Sequence, residues 1–124
     1  MDKVLHILLV EDSAADAELL LHALHKGGYE PQVERVETAA ELTAALDQPE
    51  KWDVVIADYV LPNFNGMDAL RIVHQSGLDL PFIIVSGTIG EDIAVAAMKA
   101  GAHDYLIKGK LSRLVPAIER EMRE

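Results

Sequence analysis

The sequence predicts one α/β domain, residues 1–124, built as a doubly wound five-stranded parallel sheet with five flanking helices. Three observations predict it. Short apolar runs alternate with amphipathic helical stripes along all 124 residues. The runs are apolar at successive positions, as in strands covered by helices on both faces. Cap and turn residues punctuate the junctions. Repeated right-handed βαβ units then leave a parallel sheet sandwiched between helix layers.

Val4 to Val10, apolar but for His6, is the first strand. Ser13 with Asp16 three residues on reads as a capping box, and Ala17, Leu20, Leu21 and Leu24 form the stripe of a first helix that Gly27-Gly28 stops. Gln32 to Val36 is a short second strand. Thr38 with Glu41 repeats the cap ahead of Ala39, Leu42, Ala45 and Leu46, and Pro49 closes that helix. The third strand, Asp53 to Ala57, ends at Asp58 and a loop holding Pro62, Asn63, Asn65 and Gly66, with a helix over Met67 to His74. Phe82 to Val85 is the fourth strand, followed by Ser86-Gly87-Thr88 and a helix burying Ile93, Ala96, Ala97 and Ala100 and ending at Gly101. Asp104 to Ile107 is the fifth. A last helix carries Leu111, Leu114, Val115, Ile118 and Met122 on one side, so Pro116 must lie in its first turn or bend it. No further output domain is expected after it.

Composition narrows the function. With 21 acidic against 11 basic side chains, a net charge of −10 would repel a polyphosphate backbone, so direct nucleic-acid binding is not expected. The absence of cysteine excludes disulfides, thiolate zinc sites and thiol catalysis. No apolar run approaches the roughly 20 residues of a membrane span, and the N-terminus lacks the features of a signal peptide. A cytoplasmic protein without a membrane association is expected.

In an open parallel sheet the ligand site lies beyond the carboxyl ends of the strands. There the first strand delivers Glu11-Asp12, the third Asp58, the fourth Ser86 and the fifth Lys108. Two carboxylates about 4 Å apart repel by roughly 4 kcal/mol at an effective dielectric of 20, so such a cluster calls for a counter-cation. An all-oxygen site suits Mg²⁺. A carboxylate can also attack phosphorus to give an aspartyl phosphate, with Lys108 neutralising phosphoryl oxygens and Ser86 donating a hydrogen bond to one. Each residue has a plainer explanation, as helix cap, turn former, loop residue or surface cation. Together those explanations require four independent coincidences at one sheet edge.

At these residues the chain resembles a response-regulator receiver domain of two-component signalling, from Val4 through Met122. Leu8-Leu9-Val10-Glu11-Asp12-Ser13 is similar to the acidic end of that family's first strand. Asp58, Pro62 and Gly66 match its D-x-x-x-P-x-x-x-G acceptor loop, and Ser86-Gly87 its hydroxyl-then-small pair. Gly101-Ala102-His103-Asp104-Tyr105-Leu106-Ile107-Lys108 matches the segment ending in a lysine. The resemblance implies a flavodoxin-like, CheY-like strand order of 2-1-3-4-5. It also implies that Asp58 accepts a phosphoryl group from a phosphohistidine, with Glu11, Asp12, Asp58 and the Val60 backbone carbonyl around Mg²⁺. Ser86 would move toward the phosphoryl group and Tyr105 would turn inward, reshaping the face of the fourth helix, fifth strand and fifth helix. The implied partners are a sensor histidine kinase or histidine phosphotransfer protein and a downstream target protein. The chain would be a stand-alone relay or a module of a multidomain sensory protein.

The family usually has proline after the lysine, whereas Gly109 stands here. A non-proline cis bond costs about 2.5 to 4 kcal/mol, so the Lys108–Gly109 bond is predicted trans, with an altered loop into the last helix. The segment from Lys108 to Pro116 resembles receivers associated with multidomain sensory kinases, which argues against a DNA-binding output.

Three rival readings fit the residues less well. A flavodoxin-type cofactor binder would use Ser86-Gly87-Thr88-Ile89-Gly90 to cradle phosphate, but that fold places its phosphate loop after the first strand, where two acids stand. An aspartyl phosphatase needs a carboxylate two positions after its nucleophile, and Val60 stands there. A degenerate receiver that binds partners without phosphorylation would not need the complete acidic, hydroxyl and lysine set. His22, His25 and His74 are read as outer helical positions without function.

Overall fold

The computed structural model describes residues 3–48, 51–62, 64–87 and 90–122; Pro49, Asn63, Thr88 and Ile89, on which expectations fell, lie outside these. The described chain runs β1 (Lys3–Val10), α1 (Ala14–Lys26), β2 (Tyr29–Val36), α2 (Ala39–Ala45), β3 (Val54–Asp58), α3 (Gly66–Gln75), β4 (Phe82–Ser86), α4 (Glu91–Lys99), β5 (Asp104–Ile107), a 3-10 turn (Lys108–Arg113) and α5 (Leu114–Met122). The sheet order is β2-β1-β3-β4-β5, as the family resemblance implies, and the strands pair in parallel, as the sequence pattern predicts.

Strand alternation divides the core in two. Leu5, Ile7 and Leu9 of β1, Val54 and Ile56 of β3, and Ile83 and Val85 of β4 pack with Leu20 and Leu24 of α1 and Leu114 and Ile118 of α5. Leu8 and Val10, Val55 and Ala57, and Phe82 and Ile84 face the other way, against α2, α3 and α4. A strand buried on both sides has no polar positions, which is why β3 and β4 read as unbroken apolar runs.

Several boundaries and faces differ from expectation. β2 starts at Tyr29 and runs through Pro31, whose missing N–H an edge strand tolerates. Asp53 precedes β3 and accepts from the His6 backbone N–H at 2.8 Å, tying β1 to β3 at the end opposite the acidic cluster. On α4 the inward side is Ile93, Ala94 and Ala97, while Ala96 and Ala100 face solvent. Runs of alanine give a face no hydrophobic contrast, so the sequence placed it about one residue off. Ala39 and Met122 are exposed, and Ala117 takes a core position on α5. Pro116 sits in the first turn of α5, as required.

Caps set the helix directions. Ser13 accepts from the Asp16 N–H at 3.2 Å and Thr38 from the Glu41 N–H at 3.1 Å. Asn65 and Asp68 form a complete capping box on α3, at 3.0 and 3.1 Å, which the sequence reading missed. α1 and α4 end at Gly28 and Gly101, with φ of 91° and 112°, where a Cβ would be strained.

The fold makes α1 a sharp test of burial. Leu24 is fully buried and Leu19 is 60% exposed. Leu24→Ala is expected to lower the unfolding free energy by about 2 to 5 kcal/mol, whereas Leu19→Ala changes it by about 0.5 kcal/mol or less. Urea denaturation of both variants checks the pair.

Candidate functional site

Register brings the site together. Val10 pairs with Ala57, Asp58 with Val85 and Ser86 with Ile107, so the strands end nearly in step. The next residue along β1 is Glu11 and along β5 Lys108, and the four apolar strands therefore release their polar residues at one edge. Glu11, Asp58 and Ser86 are the buried polar residues of the described chain, while Asp12 is exposed at the rim.

One oxygen each from Glu11, Asp12 and Asp58 lies within 4.8 Å of the others. Lys108 Nζ donates to Glu11 Oε1 at 3.0 Å, to Asp58 Oδ2 at 3.0 Å and to Asp16 Oδ2 at 2.6 Å. An ammonium has three N–H donors and no acceptor, and all three are used here. The second Glu11 oxygen, Oε2, is buried without a hydrogen-bond partner among the described residues. A buried carboxylate oxygen lacking a partner is costly, and an all-oxygen donor set around it suits a hard divalent cation.

The electrostatics follow the geometry. Burial, then the neighbouring Asp58 carboxylate, pushes the Glu11 carboxyl up to about 8 against the pull of Lys108. The three carboxylates raise the Lys108 ammonium above its ordinary value despite partial burial. Lys108 holds the Asp16 carboxyl below its usual range.

The loop after Asp58 is tightly built. Gly66 N–H donates to the Tyr59 carbonyl at 2.8 Å, and a Cβ on Gly66 would lie 3.1 Å from Tyr59 Cα and 3.2 Å from the Asp58 carbonyl oxygen. That close approach to main-chain atoms favours glycine. Val60 is exposed, and its N–H points to Asp58 Oδ1 at 3.4 Å. Ser86, at the end of β4, is 1% exposed. The Tyr105 ring already lies inward, 6.5 Å from the ring of Tyr59, and burial pushes its phenol up while the Ser86 hydroxyl pulls the other way.

The structure thus gathers Glu11, Asp12, Asp58 and Lys108, with Ser86 and Val60 in the flanking strand and loop. It adds Asp16, which the sequence reading had assigned to a capping box. Asp16 supplies its N–H to that cap but turns its carboxylate to Lys108. The signal was its place one turn beyond Glu11-Asp12, at the same sheet edge. The Lys108–Gly109 bond is trans, and the altered loop is the 3-10 turn, broken at Lys110 with φ −128° and ψ 51°.

With this geometry in view, residues 7–119 match the family of the response regulator receiver domain. The chain belongs to that family. It is 29% identical over 120 residues to the chemotaxis protein CheY of Thermotoga maritima, covering 92% of this chain and 94% of that one. It is 33% identical over 108 residues to the C4-dicarboxylate transport transcriptional regulatory protein DctD of Pseudomonas aeruginosa, covering 86% of this chain but only 22% of that protein. Among solved structures, a response regulator receiver domain protein from Clostridium thermocellum superposes with a TM-score of 0.80 at 29% identity, over 96% of this chain and 94% of that one. The non-phosphorylated HemR receiver domain of Leptospira biflexa gives 0.78 at 28%, over 97% and 95%. The receiver is a signalling domain of two-component systems, and its CheY-like fold is the one observed.

Glu11 sets a pH signature. Its carboxyl keeps its proton in the folded chain where the unfolded one has lost it, so the stabilisation is complete below the unfolded value of 4.5 and is lost as pH rises through about 8. In EDTA, the thermal midpoint is expected to fall between about pH 5 and about pH 8.5, and Glu11→Gln is expected to flatten that slope. Scanning fluorimetry across the range decides; an equal slope in the variant refutes the assignment.

Proposed function

We propose that the receiver accepts a phosphoryl group on Asp58 from a phosphohistidine donor and signals through the face of α4, β5 and α5. The observation that carries this is Asp58 itself: a buried carboxylate held 3.0 Å from Lys108 Nζ beside Glu11 and Asp12. A carboxylate oxygen of Asp58 attacks phosphorus, the P–N bond to the donor imidazole breaks, and its electron pair returns to the ring nitrogen. Lys108 compensates the charge on the phosphoryl oxygens and Ser86 donates a hydrogen bond to one of them. Autodephosphorylation would use the same groups.

Glu11, Asp12, Asp58 and the Val60 carbonyl would hold Mg²⁺, which supplies charge neutralisation for the phosphoryl group. The buried Glu11 Oε2 and the close carboxylates support that ligand set. Ser86 and Tyr105 are the switch residues of this reading. Tyr105 borders a groove lined by Ala94, Val95 and Met98, and the exposed Val95 and Met98 give the α4–β5–α5 face an apolar surface for a partner. A local charge would bias that two-state element.

The partners proposed are a sensor histidine kinase or histidine phosphotransfer protein and a downstream target protein, in the cytoplasm. The match to DctD, of which this chain spans about a fifth, and to CheY, which it nearly fills, supports a module used either within larger proteins or alone. The net charge of −10 argues against direct nucleic-acid binding.

Incubation with Mg²⁺ and acetyl phosphate should add one phosphoryl group by intact mass, and Asp58→Asn should add none. Beryllofluoride should bind the wild type in the presence of Mg²⁺. A wild-type chain that forms neither adduct refutes the proposal in favour of phosphate-independent partner binding.

A further inference from the structure

We propose that Asp16 is the positioning residue for Lys108, anchoring its ammonium from α1 while the metal and phosphoryl group occupy the other carboxylates. This rests on the receiver reading above and names a residue that reading does not use.

Three facts carry it. Asp16 makes the shortest of the three Lys108 contacts, 2.6 Å against 3.0 Å for Glu11 and Asp58. The close carboxylate group of Glu11, Asp12 and Asp58 does not include Asp16. A divalent cation in that group competes with Lys108 for Glu11 and Asp58, whereas Asp16 stays available to the ammonium. Its main chain is held, because its own N–H is tied to the Ser13 cap in the first turn of a 13-residue helix.

The backbone beneath the lysine supplies the need for such an anchor. Gly109 follows it, and nothing lies within 4 Å of where a Gly109 Cβ would be. The turn then breaks at Lys110. A lysine on an open, glycine-joined turn has a long stem with many rotamers, and ordering it from the main chain alone is entropically costly. Asp16 fixes the ammonium at its tip.

The test compares Asp16→Asn and Asp16→Glu with the full wild-type chain. In Mg²⁺-loaded wild type, the Lys108 ammonium ¹H–¹⁵N signal should be protected from solvent exchange and show through-space contact to Asp16. In Asp16→Asn the signal should be lost and acetyl phosphate phosphorylation slowed about tenfold, through lost preorganisation. Mg²⁺ affinity, read from amide shifts, should hold. Asp16→Glu should recover most of the rate.

A protected Lys108 signal in Asp16→Asn, a wild-type rate in that variant, an equal loss of Mg²⁺ affinity, or a Glu variant as slow as the Asn one would each overturn the assignment. If wild type takes no phosphoryl group, the receiver reading fails instead, and the ammonium signal alone decides the role of Asp16.

Discussion

The arrangement depends on one ammonium group placed among three carboxylates. Parallel strands that end in step must gather whatever follows them, and here β1 and β3 bring acids to one edge. Carboxylates at such distances repel by several kcal/mol when poorly solvated. Lys108 offsets that repulsion with three charged hydrogen bonds, and Glu11 relieves more of it by holding its proton toward neutral pH. The chain accepts an electrostatically unfavourable edge and offsets it with one cation.

Apolar packing keeps that edge in place. β3 and β4 are buried on both faces, so neither strand can slip by one residue without turning its side chains into the opposite helix layer. Register is therefore fixed by the core, and Asp58 and Ser86 are carried to the edge by Val54–Ala57 and Phe82–Val85. At the far end, Asp53 bonded to His6 ties β1 to β3 again.

How much of this was legible depended on contrast in the sequence. Strands covered on both sides are unmistakable apolar runs, and the parallel sheet with the converging Glu11, Asp12, Asp58, Ser86 and Lys108 followed from them, while the strand order came from the family resemblance. Alanine-rich α4 had no such contrast, and its inward face was misplaced toward Ala96 and Ala100. The N-terminal half of β2 was hidden because Glu30, Pro31 and Gln32 suit an exposed edge and carry no apolar pattern. Asp16 was misread for a different reason. A cap motif and a site residue are the same letter, and only the direction of the side chain separates them. That direction is set by Lys108, ninety-two positions away.

The two sides of the site are built with different stiffness. The Asp58 loop is pinned by the Gly66 N–H to the Tyr59 carbonyl, by the Val60–Asn65 bridge and by the Asn65–Asp68 capping box. As the proposed nucleophile, Asp58 would benefit from such fixing, because preorganised geometry lowers the cost of reaching the transition state. Lys108 enters from a glycine-joined turn with a broken 3-10 geometry, so its restraint comes from what its tip touches. A fixed Asp58 facing an adaptable cation would let one site serve two charge states. The ammonium bonds carboxylates in this structure, and under the proposed function it would bond phosphoryl oxygens once Asp58 carried the group. Only a partner outside the exchanging set can hold it through both, and Asp16 is the described carboxylate that meets that condition.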